Sequence, residues 1–354
     1  MQYIGNKQSL VNNIYEIMLK NNVQGHTIVD VFAGTQSVGI FFKKQGFSVV
    51  SNDWQKYSYV LGKAYIENNK ILKFEKICNY LNIESSYVSI LNYLDSIEPI
   101  EGFIYENFCP TGSLNKEYQR MYFLDENGKK FDAIRQRIED WKIQNLINDN
   151  EYYVLLASLV EAMDKVSNTT SVYGAFLKTF KDASAKIFTL KPLDLIESNE
   201  IHSTYCMPAE DFVKQNSGDI VYLDPPYNAR QYASNYHVLE TMVLYDNPIL
   251  YGKTGTREYT KQKSEFCSKV KVLSAFERLI KEIVNNGSKY IVMSYNNEGL
   301  LREEEIINTM KPYGEVLKEE IDYKRFRADK DSENRKYKTD RVKELVFILK
   351  INNI

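Results

Sequence analysis

The residues best suited to chemistry lie together in the segment YLDPPYNARQY, residues 222 to 232. Pro225 and Pro226 follow the apolar run Ile220-Val221-Tyr222-Leu223. Proline donates no hydrogen bond and stops both a ladder and a helix. A buried strand must therefore end here, with carbonyl groups free to point into a cleft. Asp224 and the Pro225 carbonyl then make two converging acceptors. Two acceptors without a metal suit a group with two N–H donors, an exocyclic amine, and Tyr227 adds an apolar plane on which a base can stack. An acid, two prolines and an aromatic in this order should arise by chance in such a chain on the order of once in several hundred.

A second constellation precedes it. Asp30-Val31-Phe32-Ala33-Gly34-Thr35 stands at a strand-to-helix turn, where glycine lets the backbone approach a ligand and the next helix presents free amides. Asp53 ends the following strand, the place where an acid takes ribose hydroxyls in nucleotide-binding sheets. A single glycine turn is common to most α/β folds, but turn and acid together point to a ribose-bearing cofactor.

These residues need a sheet to position them. HTIVDVF, AGTQSVG, IFFKKQG and FSVVSND read as strand, turn, helix and strand, a βαβ unit that implies a doubly wound parallel sheet. Strand patterns return at IHSTYCM, DIVYLDP and KYIVMSY. EEIDYKRF and ELVFILKI are expected to close the sheet as an antiparallel ribbon. The expectation is an α/β fold with about seven strands, built from residues 1–60 and 201–354. Residues 61–200 differ, with helical periodicity at Phe131, Ile134, Ile138 and Trp141 and again at Leu155, Leu156, Leu159, Val160 and Met163. They are predicted to form a mainly helical insertion. Residues 245–270 hold an exposed loop or hairpin around YGKTGTREYTKQKS.

The 354 residues, 44% of them hydrophobic, suffice for a well-buried core, and no apolar run reaches the roughly 18 residues of a membrane span. The start, MQYIGNKQSL, lacks the sections of a signal peptide, so the expected location is cytoplasmic. Cys78, Cys109, Cys206 and Cys267 lie far apart and form no metal-ligand or disulfide pattern. With a net charge of −2 the molecule is not a polycation, and a nucleic-acid partner must be held by local patches. Residues 251–272 carry six bases against two acids, and 322–341 carry eight against five. Such runs are more often solvated faces than binding sites.

Taken together, YIGNK at 3–7, DVFAGTQSVG at 30–39, Asp53, PAEDF at 208–212, DPPYNARQY at 224–232 and ELVFIL at 344–349 resemble the adenine-specific, amino-group DNA methyltransferases of the α arrangement, the class containing Dam and many type II modification methylases. The resemblance covers nearly the whole chain. It implies a Rossmann-like seven-stranded methyltransferase sheet with target recognition in the helical insertion, and the basic 251–272 segment is then expected to contact DNA through Lys253, Arg257, Lys261 and Lys263. S-adenosyl-L-methionine is the implied methyl donor. Tyr3 and Lys7 would reach its methionine end, Lys7 pairing the carboxylate. The turn formed by Asp30, Phe32, Ala33, Gly34 and Thr35 would line the pocket, Asp53 would take the ribose, and Asp211 with Phe212 would hold the adenine. Asp224, Pro225, Pro226 and Tyr227 would receive a flipped adenine, with Asn235, Tyr236 and His237 shaping the same pocket. Double-stranded DNA is the implied partner, in a restriction-modification or phage-defence setting where a cognate restriction endonuclease can accompany the enzyme. Candidates for reading bases include Asn107, Arg120 and Arg135. Three other readings stay open: a cytosine-amine methyltransferase, in which serine more often stands at the place of Asp224; an RNA methyltransferase; and a catalytically idle DNA-binding module.

Overall fold

A computed structural model describes residues 3–324 and 341–352. Of the basic run at 322–341, residues 325–340 therefore lie outside the described residues. The strands run in chain order as β1 Thr27–Asp30, β2 Ser48–Asn52, β3 Ser203–Tyr205, β4 Ile220–Leu223, β5 Leu250–Tyr251, β6 Thr256–Arg257, β7 Tyr290–Asn296, β8 Gly314–Lys324 and β9 Arg341–Ile351. The chain divides into two units, the first comprising residues 5–54, 200–232 and 261 onward, the second residues 3–4, 55–199 and 233–260. The division falls at 54/55 and 199/200, and it splits the 245–270 segment between the units at 260/261.

The first unit is built on one seven-stranded sheet in the order β3-β2-β1-β4-β7-β9-β8. β1 to β4 and β7 pair in parallel, and β9 and β8 close the edge antiparallel. This mixed α/β sheet is the Rossmann-like fold expected from the βαβ opening and the closing ribbon. Alternate residues of a strand face opposite sides. On one side Val29, Val221, Leu223, Ile291, Met293, Leu345, Phe347 and Leu349 form a continuous core with the helix Val272–Asn285. That helix buries Val272, Ala275, Phe276, Leu279, Ile280 and Ile283, the three- and four-residue spacing of an amphipathic stripe. On the other side the same parity carries Asp30, Tyr222, Ser294 and Glu344, and Asp224 continues it just past the end of β4.

The second unit is mainly helical, with its longest helices at Asp125–Ile143 and Asp149–Val166. Phe131, Ile134, Ile138 and Trp141 are buried on the first, as their spacing predicts. Asn148 and Glu151 close a capping box at the start of the second, satisfying two amide groups that a helix end otherwise leaves open. β5 and β6 form a short antiparallel hairpin, pairing Leu250 with Arg257 and Tyr251 with Thr256. Its loop needs Gly252 and Gly255, which adopt φ of +64° and +67°.

Candidate active site

β4 ends as the two prolines require, and Asp224 leaves it on the face of the sheet that carries Asp30, Tyr222, Ser294 and Glu344. The Lys7 ammonium lies 2.9 Å from Asp224 Oδ1, 3.2 Å from Glu344 Oε1 and 3.2 Å from the Gly5 carbonyl. Lys7 is 4% exposed and Asp224 14%. Burial pulls the Lys7 pKa down, but the carboxylates of Asp224 and Glu344 outweigh it and leave the ammonium held well above its usual range. Burial pushes the Asp224 carboxyl up to about 6, against the pull of Lys7 and with the help of Glu344. Asp224 Oδ2 has no partner among the described residues. The carboxylate is thus gripped at one oxygen and open at the other.

Gly5 explains how the N-terminal segment reaches this place. Its φ is +79°, and a Cβ there would stand 2.5 Å from the Tyr227 hydroxyl, so only glycine allows the ring to lie against the backbone. Tyr227 is half-buried, edge-on to Tyr295 with ring centroids 6.4 Å apart. The Lys7 ammonium is 5.6 Å from its centroid. Pro225 is buried and Pro226 half-buried.

The turn after β1 is shaped by the ends of its neighbours. The Ala33 amide donates to the Asn52 carbonyl at 2.9 Å, and the Gly34 amide donates to Asp53 Oδ2 at 2.9 Å. Gly34 has φ of +50°, a left-handed conformation that favours glycine. Thr35 shares a 2.7 Å hydroxyl contact with Ser37, whose hydroxyl donates to Asn6 Oδ1 at 2.8 Å, so Asn6 and the turn are stitched together. Phe32 packs edge-on to Phe266 at 5.2 Å. The Asp30 carboxyl, 1% exposed, closes no hydrogen bond among the described residues, although the Phe32 and Gly39 amides approach it. Burial, with the charges of Asp224 and Asp53, pushes its pKa well up.

Residues 3–309 match the D12 class N6 adenine-specific DNA methyltransferases. The chain belongs to this family. It is 42% identical to type II methyltransferase M.NlaIII of Neisseria lactamica, over 99% of both chains. It is also 41% identical to type II methyltransferase M.FokI of Planomicrobium okeanokoites over 89% of its own length and 47% of that protein's. With modification methylase StsI of Streptococcus sanguinis it shares 37% identity, over 99% of its own length and 52% of that protein's. As a D12 class enzyme it is a site-specific DNA methyltransferase that acts on adenine, which sets aside the cytosine, RNA and idle-module readings.

Several residues of this D12 class methyltransferase stand differently from the sequence expectation. Lys7, expected to pair the donor's carboxylate, is held by two carboxylates of its own chain. Phe212 is wholly buried beside Tyr205 in the sheet core, and Asp211 is exposed on the first turn of Ala209–Gln215, 3.6 Å from Lys214. Tyr3 belongs to the helical unit, stacked on Tyr236 at 4.3 Å, its hydroxyl 3.1 Å from that of Tyr57. Asn107, Arg120 and Arg135 are buried, and each donates to backbone carbonyls rather than facing outward. His237 is fully buried, its Nε2 3.0 Å from the Tyr173 carbonyl, and burial lowers its pKa to about 4. It is a neutral core residue. Asn235 is also buried, its backbone carbonyl accepting from the Tyr173 amide. Arg257 is 11% exposed and bidentate to Asp246 at 3.0 and 2.7 Å, while Lys253, Lys261 and Lys263 are exposed. Asn52, Asn6, Ser294 and Glu344 were not singled out. Glu344 alone carried a signal, an acid opening an otherwise apolar strand. Among the described residues no helix is long and apolar enough to cross a membrane.

Proposed function

We propose that this adenine methyltransferase uses S-adenosyl-L-methionine as its methyl donor and receives the target adenine, flipped out of the duplex, at Asp224-Pro225-Pro226-Tyr227. When bound, that donor supplies an electrophilic methyl group on a sulfonium. The turn residues fit such a group. Asp30 offers two buried carboxyl oxygens without a partner among the described residues, suited to a cationic centre, and Asp53 is already fixed by the Gly34 amide at the end of β2. Phe32, Ala33, Thr35 and Asp211 complete the proposed donor pocket, with Phe212 packing beneath it.

The observation that carries the substrate assignment is the one-sided grip on Asp224. The adenine amine is a weak nucleophile because its lone pair is delocalised into the ring. Asp224 Oδ2 and the Pro225 carbonyl accept its two N–H groups, favour a pyramidal nitrogen and aim the lone pair, so the chain contributes orientation and electrostatics without a covalent intermediate. Tyr227 stacks on the extruded base, offsetting part of the few kcal/mol that unstacking costs. Lys253, Lys261 and Lys263 contact DNA phosphates, and the helical unit with its hairpin presents the target-recognition surface. A cytoplasmic enzyme paired with a restriction endonuclease is the setting this reading implies.

The test is direct. Calorimetry should show S-adenosyl-L-methionine binding to the wild type and weakened binding to Asp53→Ala, by about tenfold for a lost pair of hydrogen bonds. Tritium from the labelled donor should appear as N6-methyladenine in unmethylated genomic DNA. Absence of donor binding by the folded wild type would refute the reading.

A further inference from the structure

We propose that Glu344 is a positioning residue for methyl transfer: it shares the Lys7 ammonium with Asp224, so that Lys7 holds Asp224 at Oδ1 alone and leaves Oδ2 to the adenine amine. The inference rests on Asp224 being the amine acceptor. An ammonium has three N–H donors and no acceptor. Around Lys7 three oxygens lie within 3.2 Å, from Asp224, Glu344 and the Gly5 backbone. With its donors divided among three oxygens, Lys7 cannot chelate both oxygens of Asp224. Without Glu344 it could swing onto Oδ2, neutralise the carboxylate and block the acceptor.

Glu344 is built into place. It is 1% exposed, at the start of the buried run Leu345–Leu349, and lies opposite Asn296 in the antiparallel β7–β9 register. The Ser294 hydroxyl donates to the same Oε1 that meets Lys7. A carboxylate buried in an apolar strand is costly unless paired. Its partner here already faces Asp224, so two acids share one base. A merely structural ion pair needs no second acid, whereas an acceptor that must stay electron-rich beside a cation does. The groups facing Asp224 are Lys7 from the N-terminal segment, Tyr222 from its own strand, Tyr295 from β7 and Glu344 from β9, with the buried Asp30 of β1 nearby. Glu344 raises and Lys7 lowers the pKa that burial lifts to about 6.

Single-turnover methyl transfer from tritiated S-adenosyl-L-methionine to unmethylated genomic DNA, measured against pH, tests this. The wild-type rate should fall about tenfold per pH unit below an acid limb near 6, as Asp224 takes up its proton. In Glu344→Gln the ammonium faces one carboxylate only. The limb should move down by about one pH unit and the plateau rate should drop about tenfold, with donor affinity unchanged. A folded Glu344→Gln enzyme with wild-type limb and plateau overturns the proposal, and so does one that has lost only thermal stability. Should that variant not fold, Ser294→Ala carries the test. It releases Glu344 Oε1 and should slow transfer several-fold, and an unchanged rate overturns the proposal. Asp224→Ala separates the two levels. If it stays active, the acceptor assignment fails and the inference with it; if it is inactive while the Glu344→Gln limb stays put, only the role of Glu344 fails.

Discussion

The two units bury charge in opposite ways. In the helical unit every buried charge singled out is committed to its own chain. Arg120, 5% exposed, donates to the carbonyls of Asn107, Gly252 and Lys253 at 3.1, 3.0 and 3.1 Å. Arg135 donates to Met242, Val243 and Glu139. Asp132 accepts from the Ile104 and Tyr105 amides and the Tyr245 hydroxyl, and Glu240 accepts from the Lys56 and Tyr57 amides. In the sheet unit one ammonium serves two carboxylates, and Asp30 is left with no closed hydrogen bond among the described residues. A buried charge with all its partners in place is framework, because removing a partner costs stability. A buried carboxyl left over is a cost that protonation or a ligand must offset, and a group so poised beside others is a candidate for chemistry.

The largest expected effect tests the second half of that contrast. Asp224→Ala should reduce single-turnover methyl transfer about a thousandfold or more, as loss of a group aimed at the reacting atoms does, while S-adenosyl-L-methionine still binds in calorimetry. Near-normal turnover in this variant would mean that the leftover acceptor has no part in catalysis. Arg120→Met should behave in the opposite manner. It removes a buried guanidinium that serves three carbonyls and should destabilise the protein by about 2–4 kcal/mol in denaturant titration, with donor affinity intact. A stable Arg120→Met enzyme that has lost the ability to discriminate its DNA site would make Arg120 a base reader after all.

How much of this was legible beforehand follows from how local each signal is. The sheet was readable because short apolar runs and the βαβ opening are written in consecutive residues, and Pro225-Pro226 fixed where β4 stops. The turn at Gly34 and its partner Asp53 were readable for the same reason, since their spacing reflects one strand and one helix. The Lys7–Asp224–Glu344 group was not. Its members are separated by more than a hundred residues in the chain and meet only because β9 inserts antiparallel beside β7, a pairing that sets the parity of Glu344. The same limit misdirected Arg120 and Arg135. A polar residue in a helical region reads as a surface candidate, and only long-range packing shows that its guanidinium props up a distant backbone. Phe212 follows the pattern, being drawn into the core by sheet packing that a five-residue motif cannot encode.

Arg257 and its lysine neighbours give the smallest and most discriminating effect. All four were expected to meet DNA phosphates, but Arg257 is bidentate to Asp246 whereas Lys253, Lys261 and Lys263 are exposed. A cation already paired within the protein releases no counterion from DNA, and one that neutralises a phosphate does. Replacing Lys253 and Lys261 with alanine should flatten the plot of log K against log salt by up to roughly 0.9 per lysine in contact, because each lost phosphate contact removes one released counterion. Arg257→Ala should leave the slope in place and instead loosen the hairpin, costing about 1 kcal/mol or less since Asp246 is largely solvated. If Arg257→Ala flattened the slope as a lysine does, its pair with Asp246 must open on DNA, and the line between committed and available charge would have to be redrawn for this hairpin.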